Sequence, residues 1–231
     1  MSGIVPPTPS MQDLLDEVNR NLQMALSPSL ISVSQANDAY ELYLFSLVVQ
    51  AAVDADARVF YETVSGKPAT ELRVRTTPGR IYSTTHDYTH AVLRWDRSAP
   101  LEAHVGVRVR GKSFVLHECD VAVLERREAE LCRRDQRDPA SSKLKLAVEA
   151  KFYSSTLPLH LAREFMGLGL DLSGGEKCFV SNSASVTVAQ LLAWRTQVGH
   201  ANFLTVPNTD IGNRLRAFFG HVFTRYRDRN R

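Results

Sequence analysis

The sequence predicts an α/β protein in which helices flank a central mixed β-sheet. Short runs rich in Val and Leu, at residues 101–110, 117–124 and 145–151, are typical of buried strands. After the last of these runs, helix-like and strand-like segments alternate to the end of the chain, as in a sheet covered by helices. The run at 145–151 needs cover on both faces, which favours helices on the two sides of the sheet.

The N-terminal part of the chain is predicted to hold two helices. Residues 1–9 are rich in Pro and Ser, a composition typical of disorder. Ser10 is a candidate cap for a helix that runs to about Leu26 and could pack on the core or on a second subunit. Ser34 is a candidate cap for a longer helix over residues 35–55. The apolar stripe of this longer helix consists of Tyr40, Leu44, Leu47, Val48 and Ala51.

Short strands and one clear hairpin are predicted in the middle of the chain. Residues 58–95 contain four strand-like runs, at 59–61, 72–75, 81–82 and 91–93. Residues 101–110 alternate between apolar odd positions and polar even positions, which predicts one dry face and one polar face. The pair Gly111-Lys112 is predicted to turn this strand into the strand at 117–124.

The C-terminal half is predicted to begin with a charged segment and to continue as alternating elements. Residues 125–138 carry dense mixed charge, typical of a solvated helix or loop. The predicted helices cover about 158–170, 186–197 and 210–226, and the predicted strands cover 177–181 and 203–206.

Composition places the chain among ordinary globular proteins. Its 231 residues suffice for one sizeable core, and 44% hydrophobic and 23% charged residues are usual for a soluble domain. No apolar run reaches the roughly 18 residues of a membrane helix, and the N-terminus lacks a secretory signal, so we expect a cytoplasmic protein without a membrane partner. Cys119, Cys132 and Cys178 form no CxxC pair and are predicted to be reduced thiols.

Charged side chains inside two predicted strands are the main functional signal. An acid in a buried strand is unfavourable unless it is paired or binds a metal, yet Asp120 and Glu149 occupy such positions. Strand alternation places Glu149 and Lys151 on one face, and Glu118 and Asp120 on one face of their own strand. If the two strands pair, carboxylates and an ammonium meet at one spot on the sheet.

This set of groups suits hydrolysis of a phosphodiester bond. Asp120 and Glu149 are the oxygen ligands that Mg²⁺ prefers, with Mn²⁺ as a substitute, and the backbone carbonyl of Ala150 could supply a third oxygen. Lys151 could orient the attacking water or stabilise the developing negative charge. Burial close to a metal predicts a lowered pKa for Lys151.

The chain is predicted to have an acid in the second strand of a hairpin, then Glu149-Ala150-Lys151 in the next strand, and then a helix and a strand. This order of motifs and elements resembles that of the PD-(D/E)xK nuclease superfamily. Restriction endonucleases, Holliday-junction resolvases and Mrr-type enzymes belong to it. The resemblance covers roughly residues 34–182 and implies a restriction-endonuclease-like core. It makes Asp120 the motif acid and Glu41 a candidate additional metal ligand from the first core helix. Cys119 stands where many members have a proline.

The resemblance implies a Mg²⁺-dependent endonuclease that acts on DNA, and a role in defence against foreign DNA. It divides the chain into an N-terminal arm with a helix (1–30), a nuclease-like domain (31–206) and a C-terminal helix with a basic tail (207–231). No recognition domain or motor is evident, so the choice of DNA sequence would come from a homodimer, from a targeting or activating protein partner, or not at all. The alternative is a catalytically inactive fold that binds DNA or a protein.

Basic and aromatic residues near the motif are candidate DNA contacts. Arg108, Arg110 and Lys112 cluster on the predicted hairpin, as basic patches that bind phosphates do. The resemblance adds His160 and Arg163, which share one face of the helix after the motif. Tyr153 follows Lys151 by two residues and shares its face. For each of these residues, a surface or packing role without DNA remains the alternative.

Other chemistries have weaker support in the sequence. His86 and His90 could bind zinc on a helix, but their segment is predicted to be a loop without a third ligand nearby. Cys119 and Cys178 lie in apolar strands, where thiols are usually inert. The glycine-rich phosphate loops of nucleotide-binding proteins are missing, so no nucleotide cofactor is expected.

Overall fold

The computed structural model describes residues 10–27, 36–194, 198–202, 204–206 and 209–230. The helices of this part of the chain are α1 (Met11–Leu22), α2 (Ala36–Asp54), α3 (Arg126–Asp135), α4 (Leu159–Asp171), α5 (Val186–Ala193) and α6 (Thr209–Arg229). The strands are β1 (Ala25–Leu26), β2 (Arg58–Thr63), β3 (Glu71–Leu72), β4 (Thr89–Arg94), β5 (Leu101–Arg110), β6 (Leu116–Glu125), β7 (Leu144–Lys151), β8 (Glu176–Ser181) and β9 (Val198–Ala201).

Seven of the strands form one mixed sheet in the order β2-β4-β5-β6-β7-β8-β9. The pairs from β2 to β7 are antiparallel, and β7, β8 and β9 run parallel to one another. β1 and β3 form a separate parallel pair. The prediction of an α/β protein with a mixed sheet and flanking helices is therefore confirmed, with a sheet that is mostly antiparallel.

Helix α2 is the centre of the main core. It was predicted to carry one apolar stripe, but it is buried on nearly all sides, because the sheet covers one side and α1 and α6 cover the others. Phe219 and Phe223 of α6 and Val18 of α1 are fully buried in this same core, so both terminal helices pack on the main body of the protein. Ser10 caps α1 as predicted, in a capping box with Asp13, whereas Ser34 lies outside the described residues.

The opposite face of the sheet is covered by α3, α4 and α5. Phe165 of α4 stacks edge-on against Phe179 of β8, and their rings are 5.3 Å apart. Ala129 and Cys132 of α3 pack with the other face of the β5–β6 hairpin. None of the helices described here is long and apolar enough to cross a membrane.

Three local predictions were wrong. The polar face of β5 is buried, because α3 covers it. The runs at 72–75 and 81–82 are not strands beyond Glu71–Leu72; instead, Gly79 exchanges backbone hydrogen bonds with Gly106 and Arg108 of β5. The last strand lies at Val198–Ala201 rather than 203–206, because it is those residues that pair with β8.

Candidate active site

The predicted catalytic residues lie next to one another at the centre of the sheet. Val121 of β6 pairs with Val148 of β7, so the neighbouring positions Asp120 and Glu149 are side by side. The backbone N–H of Ala150 donates to Asp120 Oδ2 at 2.7 Å, and Lys151 Nζ lies 2.6 Å from Glu149 Oε1. Strand alternation and strand pairing together thus bring the predicted acids and the lysine to one place, which we call the central acid cluster.

Burial and mutual repulsion perturb the acids of the central acid cluster. Asp120 is 6% exposed, and burial together with the charge of Glu149 raises its pKa to about 7. Burial and then Glu149 also raise the pKa of Glu118, which lies two residues earlier in β6. The single ammonium of Lys151 therefore leaves negative charge uncompensated.

Glu41 of α2 belongs to the same electrostatic group. Burial raises the pKa of Glu41 to about 9, and the charges of Asp120, Asp38 and Glu118 act in the same direction. Helix α2 packs directly on β5, β6 and β7, which explains why a residue far away in sequence meets the strand acids. The additional acid expected from the first core helix is therefore within electrostatic reach of Asp120.

The lowered pKa of Lys151 was predicted for a chain with a metal bound nearby, and the metal-free chain shows the opposite direction. Burial disfavours its ammonium, but the carboxylates of Glu149 and Asp120 outweigh burial and raise the pKa of Lys151. Lys151 is therefore a charged ammonium at neutral pH. A charged group in this place can orient water or stabilise an anion, but it cannot accept a proton.

The candidate DNA contacts divide into near and far groups. Arg108 lies opposite Glu118 in the strand register, where its charge opposes the rise in the pKa of Glu118, and Tyr153 contributes to the raised pKa of Lys151. Tyr153 is half-buried, and its backbone N–H donates to Asn182. The remaining residues lie further out: Arg110 and Lys112 at the end of the hairpin, and His160 and Arg163 exposed on the first turns of α4.

A second polar cluster lies on the buried face of β4 and β5. Glu102 Oε2 is 3.1 Å from His104 Nε2 and 3.5 Å from His90 Nε2, and all three side chains are at most 1% exposed. Both ring nitrogens of His90 lack a hydrogen-bond partner. Among the described residues, this is the one group of three or more His, Cys, Asp or Glu whose ligand atoms lie within 4.8 Å of one another.

Imidazole and carboxylate donors at this spacing could hold a metal ion, but an arginine already neutralises the acid. Arg133 of α3 donates to both oxygens of Glu102, at 2.7 and 2.8 Å, and Arg126 lies 3.8 Å away. These hydrogen bonds outweigh burial and hold the pKa of Glu102 well below its usual range. The charge of Glu102 is thus balanced by arginine without a metal ion, unlike the charges of the central acid cluster.

This second cluster was not predicted from the sequence. His90 was expected to act only with His86, which is exposed and lies outside the strand, and Glu102 and His104 were expected on a polar face. The available signal was that these two residues alternate with apolar positions in the most regular strand of the chain. Cys119, Cys132 and Cys178 are free and buried, and burial raises the pKa of the Cys119 and Cys178 thiols. Burial of Cys132 was not predicted, because its segment was expected to be solvated, whereas α3 packs it against the β5–β6 hairpin.

Comparison of the chain with protein-family models, with curated proteins and with solved structures finds no match. The resemblance to PD-(D/E)xK nucleases therefore depends on the residues of the central acid cluster and on their arrangement.

Removing the acid of Glu41 should stabilise the metal-free protein. In EDTA at pH 7, we expect Glu41→Gln to raise the free energy of unfolding by roughly 1–3 kcal/mol. The folded chain holds a proton on Glu41 that the unfolded chain releases, so this gain should grow as pH rises above 4.5. Urea denaturation measures it. A destabilised variant in EDTA would contradict the described repulsion.

Removing the charge of Glu102 should strongly destabilise the fold. Glu102→Gln leaves the guanidinium of Arg133 buried without its anion, and we expect a loss of about 3–5 kcal/mol. Glu130→Gln is the matched control, because Glu130 is half-exposed and pairs with Arg126 on the surface of α3. The control should lose less than about 0.5 kcal/mol. Equal losses in denaturant titrations would refute this assignment.

Acid should destabilise the protein through His104. Burial lowers the pKa of His104 to about 3, so the folded chain keeps this imidazole neutral while the unfolded chain protonates it below about pH 6.5. Stability from this residue is complete above pH 6.5 and falls as pH drops, by about 2 kcal/mol between pH 7 and 5. Unfolding curves at several pH values measure the slope, and His104→Gln should flatten it.

Proposed function

We propose that the chain is a Mg²⁺-dependent nuclease that hydrolyses phosphodiester bonds in DNA, and that its sheet and helices form a restriction-endonuclease-like core. The observation that carries the proposal is the meeting of Asp120, Glu149 and Lys151 at the centre of the sheet. Two acids and a lysine on adjacent strands are the groups that the resemblance requires, and the pairing of β6 with β7 places them together.

The donor set of the central acid cluster suits a hard divalent cation. Its ligands would be the carboxylates of Asp120 and Glu149 and the carbonyl of Ala150, with Glu41 as an additional oxygen donor. Burial, and after it repulsion between the acids, raises the pKa values of Asp120 and Glu41, and a bound cation would relieve the repulsion. When bound, the ion would neutralise charge on the phosphoryl oxygens and make a water more acidic.

The protein's own groups have separate tasks in this proposal. Lys151 is a charged ammonium that lies beside Glu149, so it can hold the attacking water or stabilise the negative charge on the phosphate. The N–H of Ala150 fixes the orientation of Asp120 through its hydrogen bond to Oδ2. Arg108 lies beside Glu118 at the edge of the cluster, where it can contact a neighbouring phosphate.

DNA as the substrate, and defence against foreign DNA as the role, come from the resemblance. A homodimer or a targeting or activating protein partner would set the choice of substrate. The second candidate is an inactive member of the same fold that binds DNA or protein. The buried acids of the central acid cluster weigh against this second candidate. An inactive chain would become more stable if these acids were replaced by uncharged residues.

Plasmid cleavage tests the proposal. With Mg²⁺ or Mn²⁺ we expect nicking that EDTA abolishes, and Asp120→Ala, Glu149→Ala and Lys151→Ala should each lower the rate by at least about 10²–10³-fold. Each variant should keep its fold and most of its affinity for DNA.

A matched control separates loss of chemistry from loss of charge. Glu176→Ala removes an acid from the start of the neighbouring strand β8, where Glu176 pairs with Arg225, and it should leave cleavage unchanged. Undiminished cleavage by the Glu149 or Lys151 variant would refute the site. If no metal supports cleavage by the wild type, calorimetric titration with Mg²⁺ would distinguish an inactive fold from an enzyme that awaits its partner.

A further inference from the structure

The end of the β5–β6 hairpin exposes three consecutive apolar side chains. Phe114 is 77% exposed, Val115 is 55% exposed, and Leu116 is 36% exposed. We call residues 111–116 the hairpin tip. Most other large apolar side chains that are exposed on the described surface stand alone in sequence, which is common in soluble proteins. A contiguous apolar patch of this kind marks a surface that binds something.

The hairpin tip is held rigidly in an unfavourable conformation. Phe114 has a φ of 69°, a left-handed value that costs a residue with a Cβ about 1–2 kcal/mol. The carboxylate of Asp171, at the end of α4, accepts hydrogen bonds from the backbone N–H and hydroxyl of Ser113 and lies 2.6 Å from His117 Nε2. The fold thus retains strain to hold an aromatic ring in solvent, where the ring contributes little to packing.

Two cationic side chains lie near the exposed ring. The guanidinium of Arg110 lies 5.7 Å from the centre of the Phe114 ring, and Lys112 is exposed in the same turn. Arg108 lies two residues nearer the central acid cluster on the same side of β5, opposite Glu118. At about 3.4 Å per residue, Leu116 of the hairpin tip lies about 7 Å beyond Glu118 along β6. Two nucleotides of a bound strand could span this distance.

We propose that the hairpin tip is a base-stacking site for single-stranded nucleic acid. Phe114 would stack against an unpaired base, while Arg110 and Lys112 contact the adjacent phosphates. An unpaired base offers the flat apolar face, and its backbone offers the negative charge, that an aromatic ring between cations requires. The interior of a duplex offers no free base face. The inference rests on the proposed function, to which it adds a preference for substrates with unpaired bases near the cleaved bond.

Binding of labelled oligonucleotides by the full chain, measured by fluorescence anisotropy in EDTA, tests this site without cleavage. We expect Phe114→Ala to weaken binding of a single strand by about 10- to 100-fold and to leave binding of a blunt duplex nearly unchanged. Phe60→Ala is the matched control, because Phe60 is also exposed and Arg94 lies 5.1 Å from its ring. The control should bind both oligonucleotides like the wild type.

Two further variants test stacking directly. Phe114→Trp should keep the affinity, and the added indole fluorescence should be quenched by the single strand. Phe114→Gly removes the ring and the strain together, so it should raise the thermal midpoint while weakening binding as much as Phe114→Ala. This pair separates loss of the ring from loss of the fold.

Equal affinity of Phe114→Ala and the wild type for the single strand would overturn the proposal. It would also fail if light scattering found a wild-type dimer that Phe114→Ala dissociates without loss of oligonucleotide affinity, since the patch would then join two copies of the chain. Plasmid cleavage is a separate readout. If the wild type cleaves plasmid but Phe114→Ala does not change oligonucleotide binding, only the stacking site is refuted. If Phe114→Ala weakens binding of the single strand but the wild type does not cleave, the stacking site stands and only the nuclease proposal fails.

Discussion

The register between β6 and β7 is the constraint on which the candidate site depends. A shift of one residue would turn Asp120 away from Glu149 and would place Val121 and Val148 in the wrong layers. The hydrogen bond from the Ala150 N–H to Asp120 joins the two strands at the site itself. Apolar packing on both faces of these strands therefore maintains the register, and the register places the acids.

Two buried polar clusters in one sheet illustrate opposite ways to carry charge. Around Glu102, arginines from α3 supply the counter-charge, and the acid keeps a strongly lowered pKa. Around Asp120, the acids outnumber the available cations, and burial together with repulsion between the acids raises the pKa values of Asp120 and Glu41. The ion pairs around Glu102 stabilise the fold. The acids around Asp120 lower its stability, which has a physical rationale if a ligand such as a cation binds there.

Local pattern was enough to predict some of these features. Alternation in β7 places Glu149 and Lys151 on one face, and the turn at Gly111 predicts the hairpin that carries Asp120, because both properties depend on neighbours in sequence. The burial of Glu102 and His104 depends on α3 and Arg133, which lie about thirty residues later in the chain. Alternation therefore predicted that the two residues share a face of the strand, but it could not predict that a helix covers this face. The position of β9 likewise depends on which residues reach β8, a choice made in three dimensions.

Gly106 has a consequence for how such a hairpin could diverge. It has a φ of 60°, and a Cβ there would come within 3.2 Å of the Cβ of Arg75, so a larger side chain at this position would be strained. Gly106 divides β5 into an inner half that packs with the body of the sheet and an outer half that leads to the hairpin tip. Residues can enter or leave the outer half in matched pairs, one on each strand, without moving Asp120. Related chains could therefore have hairpins of different length while retaining the same residues in the central acid cluster.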